Sequence, residues 1–488
     1  MQALARITFF LLLVLVLRHG AAQNRRYFTG DNTDSAAFSK ILKSPRRISR
    51  GLENLPSSAS IKSYAPVPGD QGKHGTCVAW STAYAARTIS YCIQHNITDP
   101  DKIKMLAFSP TYLYFYVRPP GDLECLSGAR IEAALKALTD TGDVLQTAAS
   151  PDCVNAVSQQ QVDSAKKYSI KAYTSINSAF GSISRTDVTT IKKCISEKKP
   201  VIISIKCLAS LFNVGADGEW KSQPNEANAG SHAVCIVGYD DQQMGGAFEV
   251  MNSWGTEWGN HGFFWLTYDQ TTQYGSYALE LMDREVYDGA ASRGLGGPRL
   301  MGNLDFMQVD DSGHESNPIR FALATHGINQ DDSAAKGQRA AAYHLATQQN
   351  RGLKYEIKLS SNTPAFVFVL LIDSNRRATP LFPSADNISP AVNSGDAVIY
   401  LPADQNFFVM DSGSAAGNLC VIYSKSQIDF QALKARLSAG SQISAALADL
   451  YGIKVIPRSK INFRSDRVSF AVKALEDQLV YFFVHLRN

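Results

Sequence analysis

The chain runs to 488 residues, 45% hydrophobic and 19% charged, which exceeds one ordinary core and predicts two or three domains. Its 48 basic and 44 acidic residues leave a formal net charge of +4 with no long block of either sign, so nucleic acid is not an implied partner.

Arg6 is followed by the apolar run 7–17 and then by the small residues Gly20-Ala21-Ala22. Such a run is too short for a helix across a bilayer of ~30 Å. With its basic flank it reads as a cleaved secretory signal over residues 1–23, against a competing reading as a membrane anchor. No cysteine follows it to take a lipid, and no other segment is long and apolar enough to span a membrane. The mature protein is expected to be exported and soluble, periplasmic or extracellular. Residues 24–55 are polar and carry the basic knot KSPRRISR (43–50). They read as a short prosegment or as a flexible lead-in, the commoner meaning of a charge run.

Residues 76–94 are expected to form a helix, with Val78, Tyr84, Ala85, Ile89 and Cys92 on helical spacing. A second helix is expected over 128–138, with Ile131, Ala134, Leu135 and Leu138 on its apolar face. From Pro200 the period becomes that of strands: VIISI, AVCIVGY, AFEVMNSW, GFFWLTY and YALELM. Helices first and strands second predict an α+β domain over 56–287, built in two halves. DGAASRGLGGPR then marks a linker over 288–300. The remainder, 301–488, is strand-rich, with one helical stretch at 430–447, and is expected to be a small β-sandwich.

The chemistry concentrates in GDQGKHGTCVAW (69–80), where Gln71 stands six residues ahead of a cysteine that opens a helix. A thiol that attacks an amide needs a lowered pKa, a base and donors for the oxyanion. A helix N-terminus favours the Cys77 thiolate. The Gln71 amide and the Cys77 backbone N–H could supply the oxyanion hole. Candidates for the base and its orienter are His232, in Ser231-His232-Ala233-Val234, and Asn252, in Asn252-Ser253-Trp254-Gly255. If Cys77 stays free, seven of the eight cysteines remain, so at least one more is unpaired. Connectivity does not follow from sequence. Cys235, in AVCIVGY, is expected to be a buried strand thiol.

GDQGKHGTCVAWS, SHAVCIVGYD and VMNSWGTEWGNHGFFW resemble the three active-site blocks of papain-like cysteine proteases. The likeness covers about 56–283. LAFSPTYLYFYV and the segments around Cys125 and Cys153 resemble the family's bacterial, secreted branch. The resemblance implies a two-lobed catalytic domain with Cys77 as nucleophile and His232 as its ion-pair partner and later proton donor. It makes Asn252 the residue that orients the imidazole, Gln71 the oxyanion donor, and Trp254 the shield of the His–Asn contact. Trp258-Gly259 and Gly262-Phe263 match a structural hairpin. No cofactor or metal is implied, and the partners are protein or peptide substrates. The chain also departs from the family. His74 stands where a disulfide-forming cysteine is usual, Val78 where a Trp is usual, and Ser231 where Asp or Asn is frequent. The resemblance therefore leaves Cys125 in need of another partner, with Cys153 the candidate. The spacing from Cys77 to its partners exceeds the roughly 130–150 residues of the family, and the lead-in is too short for the long helical propeptide of the eukaryotic enzymes.

Blander readings stand beside these. A lone cysteine at a helix start is usually a small buried hydrophobe. His74 is read as a polar loop residue, His261 as a turn residue, and the tryptophans chiefly as packing. Asn96-Ile97-Thr98 and Asn387-Ile388-Ser389 fit the glycosylation pattern and are read as chance matches. The leading expectation is an exported cysteine endopeptidase working through a thioester. The alternatives are a catalytically silent papain-like binder and an acyltransferase using the same triad. The C-terminal part, in AFVFVLLIDSNRRATPLFPS and SGDAVIYLP, resembles a bacterial accessory domain and is expected to bind a cell-surface or protein partner.

Overall fold

A computed structural model describes residues 27–45, 55–284, 299–310, 314–324, 340–347, 349, 352–373, 375–392, 398–402, 407–410 and 417–486. The signal-like residues 1–23 and residues 288–298 of the expected linker lie outside them.

The expected helix over 76–94 is one rod in three parts: Cys77–Ala79, a π-helical stretch Trp80–Arg87, and Thr88–Gln94. Residues 75–92 are all buried, so the rod is not the one-sided amphipathic helix its spacing suggested but the spine of the domain. Around it pack Pro100–Leu106, Pro110–Val117 and Ile131–Asp140. The first two are capped by Asp99 and Ser109, with proline just inside the start, where a missing N–H costs nothing. The third begins three residues later than expected. Gly128 is in the left-handed region (φ +78°), and Ala129 is paired in extended form with Asp31.

The strand half is one sheet. Its members are β1 (Ser58–Ser60), β2 (Ile170–Ser175), β3 (Val201–Leu208), β4 (Asn228–Asp240), β5 (Ala247–Met251), β6 (Phe263–Thr267) and β7 (Gly275–Asp283). The order is β2-β7-β3-β4-β5-β6, with β1 added on β4, and all of these pairs are antiparallel. Strand β4 is buried from His232 to Tyr239, against the helical half on one side and the core on the other. It carries His232, and β5 ends one residue before Asn252.

From Arg299 the described residues are β-rich and form two further seven-stranded sheets. Between them lies a core that includes Leu304, Ile357, Leu359, Val367, Val369, Val421 and Phe482. Strand Ala365–Ile372 is apolar on both faces. Val367 and Val369 enter that core, while Phe366, Phe368 and Leu370 meet a second core under two helices. Those helices, Phe430–Ser438 and Ile443–Tyr451, replace the single expected helix over 430–447. Gly440 (φ +90°) breaks it.

The second core also takes in Met282 of β7, with Ala172 of β2 packed against it, so the C-terminal part sits on the β2 side of the first sheet. Among the described residues no helix is long and apolar enough to cross a membrane.

Candidate active site

Cys77 opens the central helix after Gly75 and Thr76, with the Trp80 N–H closing the first turn on the Thr76 carbonyl at 3.1 Å. Thr76 makes no side-chain cap, so the turn depends on tertiary support: the Gly75 N–H donates to the Cys125 carbonyl at 2.8 Å. Cys125 and Cys153 form a disulfide, which braces the loop behind Cys77. Cys235 is a free, buried strand thiol.

His232 and Asn252 meet on the strand half. His232 Nε2 lies 2.7 Å from Asn252 Oδ1, and that oxygen also accepts the Ser253 N–H at 2.8 Å. A side-chain oxygen can only accept, so Nε2 carries the proton and Nδ1 is the basic nitrogen. Nδ1 is buried without a hydrogen-bond partner. Asn252 is itself held by its N–H on the Gly262 carbonyl at 3.0 Å. That hairpin needs its glycines: Gly262 has φ +87°, and a Cβ there would stand 2.4 Å from Pro68. Trp254 stacks on the His232 ring at 4.5 Å between centroids and covers it from solvent.

Gln71 approaches from the helical half. Its backbone N–H donates to the Ser253 carbonyl at 2.9 Å, and the Ser253 hydroxyl donates to Gln71 Oε1 at 2.6 Å. That second bond turns Nε2 toward the cleft. Sequence reasoning gave Ser253 no role. Its place between Asn252 and Trp254 was the only signal.

The cleft is filled by the chain's own residues 27–32. Gln71 Nε2 donates to the Phe28 carbonyl at 3.2 Å, besides the His74 carbonyl at 2.7 Å. Trp254 Nε1 donates to the same Phe28 oxygen at 3.0 Å, and the Tyr27 ring stacks on the Trp254 indole at 5.2 Å. The Ala129 N–H donates to the Gly30 carbonyl at 2.8 Å, and the Asn32 N–H donates to the Ala129 carbonyl at 2.7 Å. The backbone N–H groups of Gly30 and Ala233 face the Cys77 sulfur. This stretch, read from sequence as prosegment or flexible lead-in, is packed irregular chain with one bridge, Asp31 to Ala129.

Filling the cleft changes the electrostatics. Cys77 and His232 are both fully buried. Burial, with the Asp31 carboxyl second, pushes the Cys77 thiol well up, while burial pulls His232 down to about 4 against the Asn252 hydrogen bond. Both shifts favour the neutral thiol and the neutral imidazole over their ion pair while the cleft is filled. Asp31 is itself pushed up to about 7 by burial, with the neighbouring Glu132 raising it further and the Ser204 and Tyr277 hydroxyls lowering it. His74 is half-buried in its loop, and His261 is an exposed turn residue with φ +53°.

Residues 59–281 match the profile of the papain family cysteine proteases. The chain is 22% identical over 224 residues to cathepsin L of Sarcophaga peregrina, covering 45% of this chain and 61% of that protein. It is 24% identical to mouse cathepsin K, covering 44% and 60% respectively. It thus spans less than two thirds of these curated relatives. Among solved structures, xylellain, a cysteine protease from Xylella fastidiosa, aligns over 54% of this chain and 97% of its own at 22% identity, with a TM-score of 0.41. The likeness to the papain family cysteine proteases thus extends over residues 59–281, a little under half of the chain.

Proposed function

We propose that the chain is an exported cysteine endopeptidase acting through Cys77, His232 and Asn252, and that its closed cleft is a latent form. The observation that carries this reading is the His232–Asn252 bond of 2.7 Å. It fixes the tautomer that leaves Nδ1 as a base, on the strand that presents Ala233 to the Cys77 sulfur. Once residues 27–32 leave, the Asp31 carboxyl and the burial go with them. The thiol falls and the imidazole rises toward ordinary values, so the proton can pass from Sγ to Nδ1.

The thiolate then attacks the substrate carbonyl carbon. The oxygen takes up the negative charge between Gln71 Nε2–H and the Cys77 N–H. His232 returns the proton to the departing amine, leaving a thioester. Water, losing a proton to His232, attacks the thioester and releases the acid, and the thiol recovers that proton. Trp254 would keep water off the His232–Asn252 bond. Residues 24–55 act as a prosegment in this reading, residues 1–23 as the export signal, and the C-terminal domain as an accessory module.

The buried, neutral thiol also suits a papain-like scaffold that binds without hydrolysis. A peptide-library digest with the full chain and its Cys77→Ala variant separates the two. Cleavage that vanishes with Cys77→Ala supports the peptidase. Equal turnover by both proteins would sink the thiol mechanism, and a cleft-opened Gly30→Ala chain that stays inert and that an epoxide probe fails to label would favour the binder.

A further inference from the structure

The blocking segment does not end at the cleft. After Asp31 the chain forms the short helix Ser35–Ser39, which buries Phe38 against Phe180 and Tyr277 with ring centroids at 5.9 and 5.4 Å. It then enters the seam between the two domains as residues 42–44. On one side, the Ser175 N–H at the end of β2 donates to the Leu42 carbonyl at 3.0 Å, and the Ser44 N–H donates to the Ser175 carbonyl at 2.8 Å. On the other, the Lys43 N–H donates to the Asn387 carbonyl at 2.7 Å, and the Ser389 N–H donates to the Lys43 carbonyl at 2.9 Å. Both pairings are parallel. The segment is thus a strand inserted between the two domains, with Lys43 and Ser44 buried and the Ser44 hydroxyl on Glu280 of β7.

From this geometry we infer a function for the C-terminal domain: it holds the blocking segment in place, through the backbone of residues 387–389. Strand β2 is the edge of the catalytic sheet, and an edge strand alone offers the segment one partner. The C-terminal domain supplies the second, and it is fixed close by. Met282 and Ala172 pack into its core, Lys171 Nζ donates to the Pro364 carbonyl at 3.3 Å, and Lys171 and Arg284 approach Glu476 at 3.4 and 3.6 Å. Because the two partners are tethered, the second pair of bonds forms at high effective concentration. Opening the cleft therefore requires the 42–44 strand to leave both neighbours, or the 28–31 stretch to lift against an anchored end. The C-terminal domain so becomes a control surface: a ligand or a cut that frees residues 387–389 from Lys43 would open an active site in the other domain.

This inference rests on the latent reading above, and the test keeps the two apart. Iodoacetamide needs only an accessible thiol, not a working enzyme, so its rate of reaction at Cys77, followed by mass spectrometry of that peptide in the full chain, reports opening. Ser389→Pro removes the N–H that Lys43 accepts, and Lys43→Pro removes the donor to Asn387, so the two variants disturb the seam from opposite sides. Each is expected to raise the Cys77 labelling rate about threefold to tenfold, the range for one lost backbone hydrogen bond. Lys434→Ala, which removes the Asp386 ion pair and a cation–π contact with Phe430 but no bond to residues 42–44, is expected to leave it unchanged. A protected wild type with both proline variants natively folded and equally protected would overturn the holding role and leave latency standing. A wild type whose Cys77 reacts as fast as a free thiol would overturn both.

Discussion

Gly30 and Gly75 lie face to face. A Cβ on Gly30 would stand 2.0 Å from the Gly75 carbonyl oxygen, and one on Gly128 would stand 2.5 Å from the Gly30 carbonyl oxygen. Three glycines distant in sequence thus let one stretch of backbone lie directly on the turn that carries Cys77. Gly30→Ala should lift this stretch, because backbone atoms on both sides cannot give way as a flexible side chain would. The expected result is faster Cys77 alkylation in the full chain, by at least about tenfold for a lost contact of more than ~1.4 kcal/mol. Unaltered protection would mean that the contact does not hold the segment.

Asp31 makes seating depend on pH. Its carboxyl is raised to about 7 in the closed form, by burial first and Glu132 next, and it faces Glu132, the Tyr277 and Ser204 hydroxyls and the Cys77 thiol. Released, it returns to the ordinary value near ~3.9. A group whose pKa is higher when seated favours seating fully below its free value, and that contribution is lost as pH rises through the seated value. The segment should therefore be held tightest at acid pH and loosen between about pH 4 and 7. Asp31→Asn cancels this dependence, so the ratio of Cys77 labelling in wild type to that in Asp31→Asn should climb over the window and then level off. A flat ratio would exclude Asp31 as the sensor.

The Ser253 hydroxyl sets the direction of the Gln71 amide. Gln71→Ala should lower kcat by about 10²–10³-fold, as expected for an oxyanion donor. Ser253→Ala should cost less, on the order of tenfold, with KM little changed, because Nε2 remains but is no longer aimed. Steady-state kinetics on a peptide substrate opened to the cleft by Gly30→Ala read both effects. Equal losses in the two variants would point to a structural collapse rather than to lost aim.

The Cys125–Cys153 bond closes a loop with a sequence separation of 28 residues. Its removal by Cys153→Ser should cost about 2–4 kcal/mol of stability. It should also loosen the Gly75 turn, which hangs on the Cys125 carbonyl. Thermal melts of the variant, and of the wild type with and without reductant, are expected to show the same downward shift. A variant melting with the wild type would show the loop to be held by packing alone.

Sequence alone made the three papain-like blocks legible, because each encodes its local geometry. Cys77 opens a helix behind glycine, His232 lies in an apolar strand, and Asn252 precedes a Trp and a glycine-bearing hairpin, so residue type and spacing point to one chemistry. The strand runs of the C-terminal part were legible for the same reason, and Gly440 was the unread sign that its helix divides. What no local pattern announced was the state of the site. Residues 27–45 are polar and aperiodic, and their placement depends on Gly75, Gly128, Ala129, Ser175 and Asn387, partners that come together only once both domains are folded. The charges of Cys77 and His232 were equally out of reach, because burial and the Asp31 carboxyl set them, and both are properties of the packed molecule.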